Sequence, residues 1–490
     1  MPVPVVSRAE MRAWEEASWA AGATSQGVIE RVGQALARRL CVAAATHETI
    51  LVLAGKGNNG ADARAALPHL GMRPVELLEI TDPVRGLEAL NIHLAKSRPD
   101  WIVDGLFGIG LSRPLDDAWR KVIAAINASG ATVVAVDIPS GLDCDLGTPA
   151  GEAIRAALTL TIGAPKIGMI REAAAEYVGR VEVLDDVGLT TPPTPASECY
   201  WGLARDFSNF PPRRAFQSHK GTYGHLTILA GNSGYHGAAA LASRSALRAR
   251  PGLVSLVTLP SVFIQLGSQL AAVMVHRWKA KQPLPDKSTA VLAGPGLSGA
   301  NIPAEYRDWI QRLWRESFDA VIADAGTLDW LPRRAVGSNP ARVITPHPGE
   351  AARMLRLTTT EIQADRVRAL RELSKLYGES WVVLKGNQTL IGRSQGPIYV
   401  NGTGNPGLAQ GGTGDVLAGF IAGHLAQPAM IKDPLLAIRY AVWEHGAAAD
   451  RLEAERTNWS SEELLEKLGD DPDRRNRGAI WRTPRSESHE

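Results

Sequence analysis

Cysteine is nearly absent from this chain. Cys41, Cys144 and Cys199 are three in 490 residues, odd in number, widely spaced and without a Cys-x-x-Cys pair. That usage excludes a disulfide framework and a structural zinc site, and it fits a reducing compartment. Charge of one sign is lacking too. The formal net charge is +2, and no run of Lys and Arg with interleaved aromatics occurs, so nothing marks a nucleic-acid or membrane surface. No apolar run approaches the about 18 residues of a membrane span, and the opening "MPVPVVSRAEMRAWEEASW" has no apolar core of signal-peptide length. A cytoplasmic location is expected. Also missing are a repeat of solenoid period and the Gly-Lys-Ser/Thr of a Walker loop.

What is present suits two domains of about 200 to 250 residues each. Hydrophobic residues make up 45% of the chain, enough for two cores. A break falls between the proline-rich "TTPPTPASE" (Thr190 to Glu198) and "FPPRRAF" (Phe210 to Phe216). The expected organisation is one domain over 1–190, a linker over 191–215, a second domain over 216–468 and a polar tail over 469–490. Before the break, "TILVLAG", "WIVDG" and "ATVVAVDIPSG" alternate with Ala-rich helical segments; after it, "GHLTILAGN", "LVSLVTLP", "STAVLAGPG", "AVIADAG", "ARVITPHPG" and "SWVVLKGN" do the same. Helices are expected at "GAAALASRSALRA", "TEIQADRVRALRELSKLYG" and "GDVLAGFIAGHLA". Both halves therefore read as α/β domains with largely parallel sheets.

The glycine-rich stretch "GNPGLAQGGTGDVLAG", Gly404 to Gly419, runs straight into an apolar helix. At this density glycine implies close approach of something to the backbone. Successive N–H groups from Gly411 onward at a helix start would form an anion hole for a phosphoryl group, and Asp415 beside it would accept the proton of an attacking hydroxyl.

The segments "HKGTYGHLTILAGNSGYHGAAALASRSALRARPGL", "GPGL", "TPHPGE", "VVLKGNQT" and "NGTGNPGLAQGGTGDVLAG" resemble, in order and spacing, the ADP-dependent NAD(P)H-hydrate dehydratases, which have a ribokinase-like fold. The resemblance covers roughly Phe216 to Leu468. It implies that ADP and magnesium serve to remove water from the (S)-hydrate of NADH or NADPH, leaving AMP and phosphate. It also implies nucleotide contacts from Lys385, Gly386, Asn387, Gln388, Thr389 and Gly414, a hydrate site at Ala238, Gly296, His347 and Asp415, and Asp415 as catalytic base. One departure stands out. Where the family carries Asp-Ala-Asp, this chain has Asp324, Ala325 and Gly326.

In the first half, Gly55, Gly57 and Gly60 follow a strand in Gly-x-Gly-x-x-Gly spacing, with Glu79 at the end of the next strand, a weak dinucleotide signal by itself. Asn58, Asn59 and Asp62 add oxygens suited to a cation or a polar ligand. Asp104, Asp137 and Ser140 lie at two further strand ends, and three strand ends of one sheet converge at its ligand edge. Together with "VDIPSGLD", "LTIGAPKIG" and "YVGRVEVLDDVG", the stretch from Ser7 to Gly188 resembles NAD(P)H-hydrate epimerase, a Rossmann-like three-layer fold. The resemblance implies a potassium ion on Asn59, Asp104 and Ser140. It implies a hydrate site at Asn58, Asn59, Gly60, Ala61, Asp62, at Gly108, Ile109, Gly110, Leu111, Ser112, Arg113 and Pro114, and at Asp137. Asp137 is the first candidate for acid/base work and Asp104 the second. Ala61 and Ala63 replace two glycines of the family loop, which places two methyl groups where a pyrophosphate is expected.

The two resemblances join into the bifunctional NAD(P)H-hydrate repair family, a lyase and an isomerase in one chain. Expected partners are the hydrates and ADP, with a homo-oligomer as the assembly. Two other readings stay open: a ribokinase-like small-alcohol kinase with an added nucleotide-binding module, and an active dehydratase whose N-terminal half only senses ligand.

Overall fold

In a computed structural model of the chain, residues 2–111, 113–299, 301–316, 318–333 and 341–470 are described. The first half is one six-stranded parallel sheet. Its strands lie in the order Val75–Glu79, Ile50–Ala54, Trp101–Gly105, Thr132–Val136, Leu158–Ile162 and Arg180–Leu184. The order reverses beside Ile50–Ala54, so the crevice where a ligand sits in such sheets opens between that strand and Trp101–Gly105. Apolar β-branched runs make these strands. Ile50–Ala54 is buried at every position, as a central parallel strand covered on both faces must be.

The second half is built on an eleven-stranded sheet. Seven parallel strands run Met274–Arg277, Leu253–Thr258, His225–Leu229, Ala290–Ala293, Ala320–Ala323, Ala341–Ile344 and Trp381–Leu384. Leu390–Gly392 and Ile398–Asn401 continue it antiparallel. The expected strands are all present. The expected helix "TEIQADRVRALRELSKLYG" is two, Thr359–Ala364 and Arg366–Leu376, because Asp365 leaves helical geometry and its side chain caps the second helix at the Arg368 amide.

The stretch 191–215 does more than link. Its strand Cys199–Gly202 pairs with Ile398–Asn401 and, on its other edge, with Val3–Pro4 from the start of the chain. The N-terminus thus closes the second domain's sheet. Trp201, 2% exposed, fills the space beside Gly402, and one buried cluster runs from Trp14 and Met169 through Trp201 to Ile398 and Val400. Burying a side chain of this size contributes about 2 to 3 kcal/mol, so the halves share a core. The last expected segment, 469–490, lies outside the described residues beyond 470.

Candidate active sites

Two helix starts face the two ligand edges, and neither has a side-chain cap. Asn58–Ala66 begins after Gly57, and Thr413–Leu425 begins after Gly412, which is held at φ +94°. Their first amides are therefore free for an anionic ligand.

Around the first lies a cavity of about 560 Å³ lined by Asn58, Asn59, Asp62, Gly108 to Leu111, Arg113 and Asp137. Of the expected hydrate residues, Gly60, Ala61 and Pro114 are not in its wall. Ser112 lies outside the described residues. Gly60 instead packs on the Gly55 carbonyl, where a Cβ would overlap it. The Ala63 methyl is fully buried in the core against Gly105 and is not in the cavity wall.

Asp137 has the left-handed φ of +64° although it is not glycine. Its Oδ1 accepts from the Ile162 amide at 3.0 Å and from the ammonium of Lys166, which has no solvent exposure and also donates to Thr161 Oγ1 at 3.0 Å. Burial, with the charges of Asp137 and Glu15, pushes the Asp62 carboxyl up to about 8. Glu15 is raised as well, by burial first and then by Asp137. The cavity thus gathers Asp62 and Glu15, both pushed toward the protonated form, beside a third carboxyl, Asp137, that is paired with a buried lysine. Sequence reasoning passed over Lys166; its mark is a lone cation in the apolar "LTIGAPKIG".

Asp104 is a different case. It has no exposure and does not line the cavity, which removes it as an acid/base candidate. Its Oδ2 accepts from the Ser140 amide at 2.8 Å and its Oδ1 from Ser140 Oγ at 2.6 Å. Ser140 Oγ accepts from the Phe107 amide at 2.8 Å, and Asn59 Nδ2 donates to the Phe107 carbonyl at 2.9 Å. The three expected potassium ligands are therefore linked in one network through Phe107, Asn59 and Ser140 directly and Asp104 by way of Ser140. Asn59 Oδ1 is buried without a hydrogen-bond partner, the kind of orphan a cation would satisfy.

In the second domain, Lys385, Gly386, Asn387, Gln388, Thr389 and Gly414 line one cavity of about 590 Å³. Lys385 joins it to a buried acidic cluster. Its Nζ donates to Asp324 Oδ1 at 2.9 Å and lies 3.9 Å from Glu350 Oε2. Burial works against the ammonium, but Asp324 and Glu350 outweigh it and hold its pKa above the ordinary value. Asp415 is pushed up to about 7 by burial and by the charge of Asp324, with Lys385 opposing. His347 caps the helix Pro348–Leu355 through Nδ1 and lies 3.6 Å from Glu350; burial lowers its pKa. Ala238 and Gly296 abut each other. Glu350, within "TPHPGE", and Asp324 are the residues that sequence reasoning undervalued.

The glycines divide by role. Gly412 makes the turn, whereas Gly419 presses on the Ala242 carbonyl of helix His236–Arg248, so part of the density serves helix packing and not ligand approach. Gly326 is likewise steric: a Cβ there would overlap the Leu297 carbonyl oxygen. A carboxylate at 326 does not fit this backbone.

A Rossmann-like sheet with an uncapped helix over an acid-lined cavity, joined to a ribokinase-like domain with a Lys-centred acidic cluster, defines a two-site nucleotide enzyme. Comparison with known proteins agrees. Residues 226–469 match the NAD(P)H-hydrate dehydratase family, and residues 25–168 match the YjeF-related N-terminal family. A bifunctional NAD(P)H-hydrate repair enzyme of Coxiella burnetii is 33% identical over 468 residues, covering 90% of this chain and 93% of the relative. One from Moorella thermoacetica is 34% identical over 84% of each chain. Among solved structures, an ADP/ATP-dependent NAD(P)H-hydrate dehydratase of Bacillus subtilis, co-crystallised with ATP and Mg2+, is 34% identical with a TM-score of 0.47 over 53% of this chain and 92% of its own. A ribokinase-like protein of Enterococcus faecalis shares the fold at a TM-score of 0.50 and 24% identity, over 56% of this chain and 95% of its own. The chain belongs to the bifunctional NAD(P)H-hydrate repair enzymes.

Proposed function

We propose that the first cavity interconverts the (R)- and (S)-hydrates of NADH and NADPH, and that the second site dehydrates the (S)-epimer with ADP. The observation that carries this is Lys385, which lines the nucleotide cavity and pairs with Asp324 in the acidic cluster that raises Asp415. Asp415 takes the proton of the hydrate hydroxyl as that oxygen attacks the β-phosphorus of ADP, with AMP leaving. The ring nitrogen then expels phosphate, and loss of the neighbouring C–H proton restores the double bond. Lys385 offsets the phosphoryl charge, and the amides after Gly412 hold the phosphate.

Magnesium would shield the transferred phosphoryl group. Among the described residues no three His, Cys, Asp or Glu side chains form a metal cage, so the ion would enter mainly on the nucleotide's phosphates. Potassium would be held by Asn59, Asp104 and Ser140, where it would fix the ligand loop that follows Gly105. In epimerisation the hydroxyl leaves with a proton from Asp62, and water returns to the other face with its proton taken by Asp137, oriented by Lys166. The domains are assigned as 1–190 and 216–468. The methyls of Ala61 and Ala63, which favoured a merely sensory N-terminal half, lie outside the cavity wall, so catalysis is the better reading.

The test is recovery of NADH absorbance when mixed hydrate epimers meet the protein, ADP and magnesium. Complete recovery supports both activities; recovery that stops with the (R)-epimer unconsumed would sink the epimerase; phosphorylated product without NADH would point to a kinase.

A further inference from the structure

The nucleotide cavity is not walled by the second domain alone. Ala157, Ala175, Gly179, Arg180 and Val181 of the first domain line it together with Lys385 and Gly386. Arg180 starts the last strand of the first sheet, and its guanidinium is 2.9 Å from Asp450 Oδ2. Asp450, on the helix Pro434–Glu455, accepts from the Gly404 amide at 3.0 Å and from Asn405 Nδ2 at 3.2 Å. It therefore holds the turn of the glycine-rich loop that borders the cavity. Behind Arg180, Glu182 accepts from Arg180 Nε at 2.9 Å and from Arg39 through both its oxygens, so the guanidinium is fixed from its own domain.

A second contact between the domains lies at the cavity wall. Gln388, held at φ +54°, donates from Nε2 to the Met169 carbonyl at 3.2 Å. Met169 stands three residues beyond Lys166, the partner of Asp137 in the other cavity.

We infer that the nucleotide site is composite: the N-terminal domain supplies one wall, and Arg180 sets nucleotide affinity by positioning Asp450 and with it the Gly404–Asn405 turn. The inference rests on the assignment of this cavity to ADP. Two effects act in the same direction. Arg180 brings a cation to the rim of a pocket for an anion, and it neutralises Asp450, which unpaired would repel the phosphates. Arginine suits the position because one planar fork serves Glu182 and Asp450 at once.

The experiment is calorimetric titration of the full chain with ADP and magnesium, alongside steady-state dehydration kinetics. Arg180→Ala is expected to weaken ADP binding and raise the KM for ADP by roughly fivefold, the size of a partly exposed charge pair. kcat should stay within about twofold, and the KM for the hydrate should not move. Arg180→Lys should recover part of the loss. Gln388→Ala removes the Met169 contact and should weaken ADP binding by about threefold; because Gln388 is also an expected nucleotide contact, the Arg180 variants carry the test of the first domain's wall. Epimer interconversion, at a cavity that Arg180 does not line, reports that the variants are folded. A parent that fails to bind ADP would overturn the cavity's assignment and this inference with it. A parent that binds, with Arg180→Ala binding equally well, or a loss confined to kcat, would overturn the inference alone.

Discussion

Lys166, without solvent exposure, donates its ammonium to Asp137, a carboxylate held at a left-handed φ of +64° where glycine would be at ease. Backbone strain of this kind costs about 1 to 3 kcal/mol and persists where the surroundings demand it. Here the demand is to aim a carboxylate into the cavity with a cation locked behind it.

Lys166→Met therefore strips Asp137, the proposed base, of its counter-charge. Epimer interconversion should fall by roughly a hundredfold or more, because the carboxylate loses the cation that holds it in place. Breaking a buried pair also costs about 3 kcal/mol of stability, read from denaturant unfolding. Chromatographic separation of the epimers over time decides the matter. A parental rate in Lys166→Met would remove the pair from the mechanism.

Asp415 is the proposed base of the other site. With its pKa pushed up to about 7, it is largely neutral below that pH, and a base must be ionised. Dehydration should rise as pH increases through about 7 and fall roughly tenfold for each unit below it. Asp415→Asn should abolish ADP-dependent recovery of NADH and leave epimerisation running. Dehydration by that variant above a few per cent of the parent rate would assign the base elsewhere.

Much of this was legible from residue order. The run Lys385 to Thr389 and the helix start at Thr413 and Gly414 line one cavity of the second domain, and Asp104, Asp137 and Ser140 stand at strand ends of the first, because sheet topology delivers each set to an edge of its own sheet. What sequence could not show is the direction of each small side chain. Ala63 looks like a methyl at a phosphate site, yet helix phase turns it into the core; Asp104 looks like a second acid, yet it is sealed beneath Ser140. The first domain's wall around the nucleotide was invisible for another reason: it depends on a long-range packing of Val3–Pro4, Cys199–Gly202 and Ile398–Asn401 that no local pattern announces.

Restoring the family's acidic residue at 326 should damage this protein and not improve it. Gly326→Asp and Gly326→Ala meet the same obstacle, the Leu297 carbonyl oxygen against the new Cβ, and both should lower stability by about 1 to 3 kcal/mol. Asp324 already pairs with Lys385 and accepts from Thr345 Oγ1 at 2.6 Å. A well-folded Gly326→Asp with tighter magnesium dependence would contradict this.

Ala63→Gly follows the same logic. It removes a core methyl and adds backbone freedom inside the helix Asn58–Ala66, together costing about 1 to 2 kcal/mol. Hydrate affinity at the first cavity should be unchanged, because that methyl is not in the cavity wall. Tighter binding in this variant, measured as a lower KM for the (R)-epimer, would restore the methyl to the site.

Potassium should stabilise the fold, and the reason lies in two groups. Asn59 Oδ1 is buried without a partner, at a cost of about 1 to 3 kcal/mol, and Asp104 is an enclosed carboxylate pushed up to about 6 by burial against the pull of Ser140. Without a cation, the folded state binds Asp104's proton more tightly than the unfolded chain, whose carboxyl sits near 3.8. Stability in potassium-free buffer should then decline as pH rises from about 4 to about 6, the range between the two values. A bound potassium ion favours the carboxylate and accepts the Asn59 oxygen, so it reverses both costs above pH 6 and is displaced by protons below it. The melting temperature at pH 7.5 should rise with potassium and not with a bulky monovalent cation such as choline, and Asn59→Ala should abolish that rise. Asp104→Asn removes the formal charge and should weaken the response more than Ser140→Ala does. Equal melting temperatures in potassium and choline, with the parent chain at pH 7.5, would leave the Asn59, Asp104 and Ser140 cluster as a structural hydrogen-bond network alone.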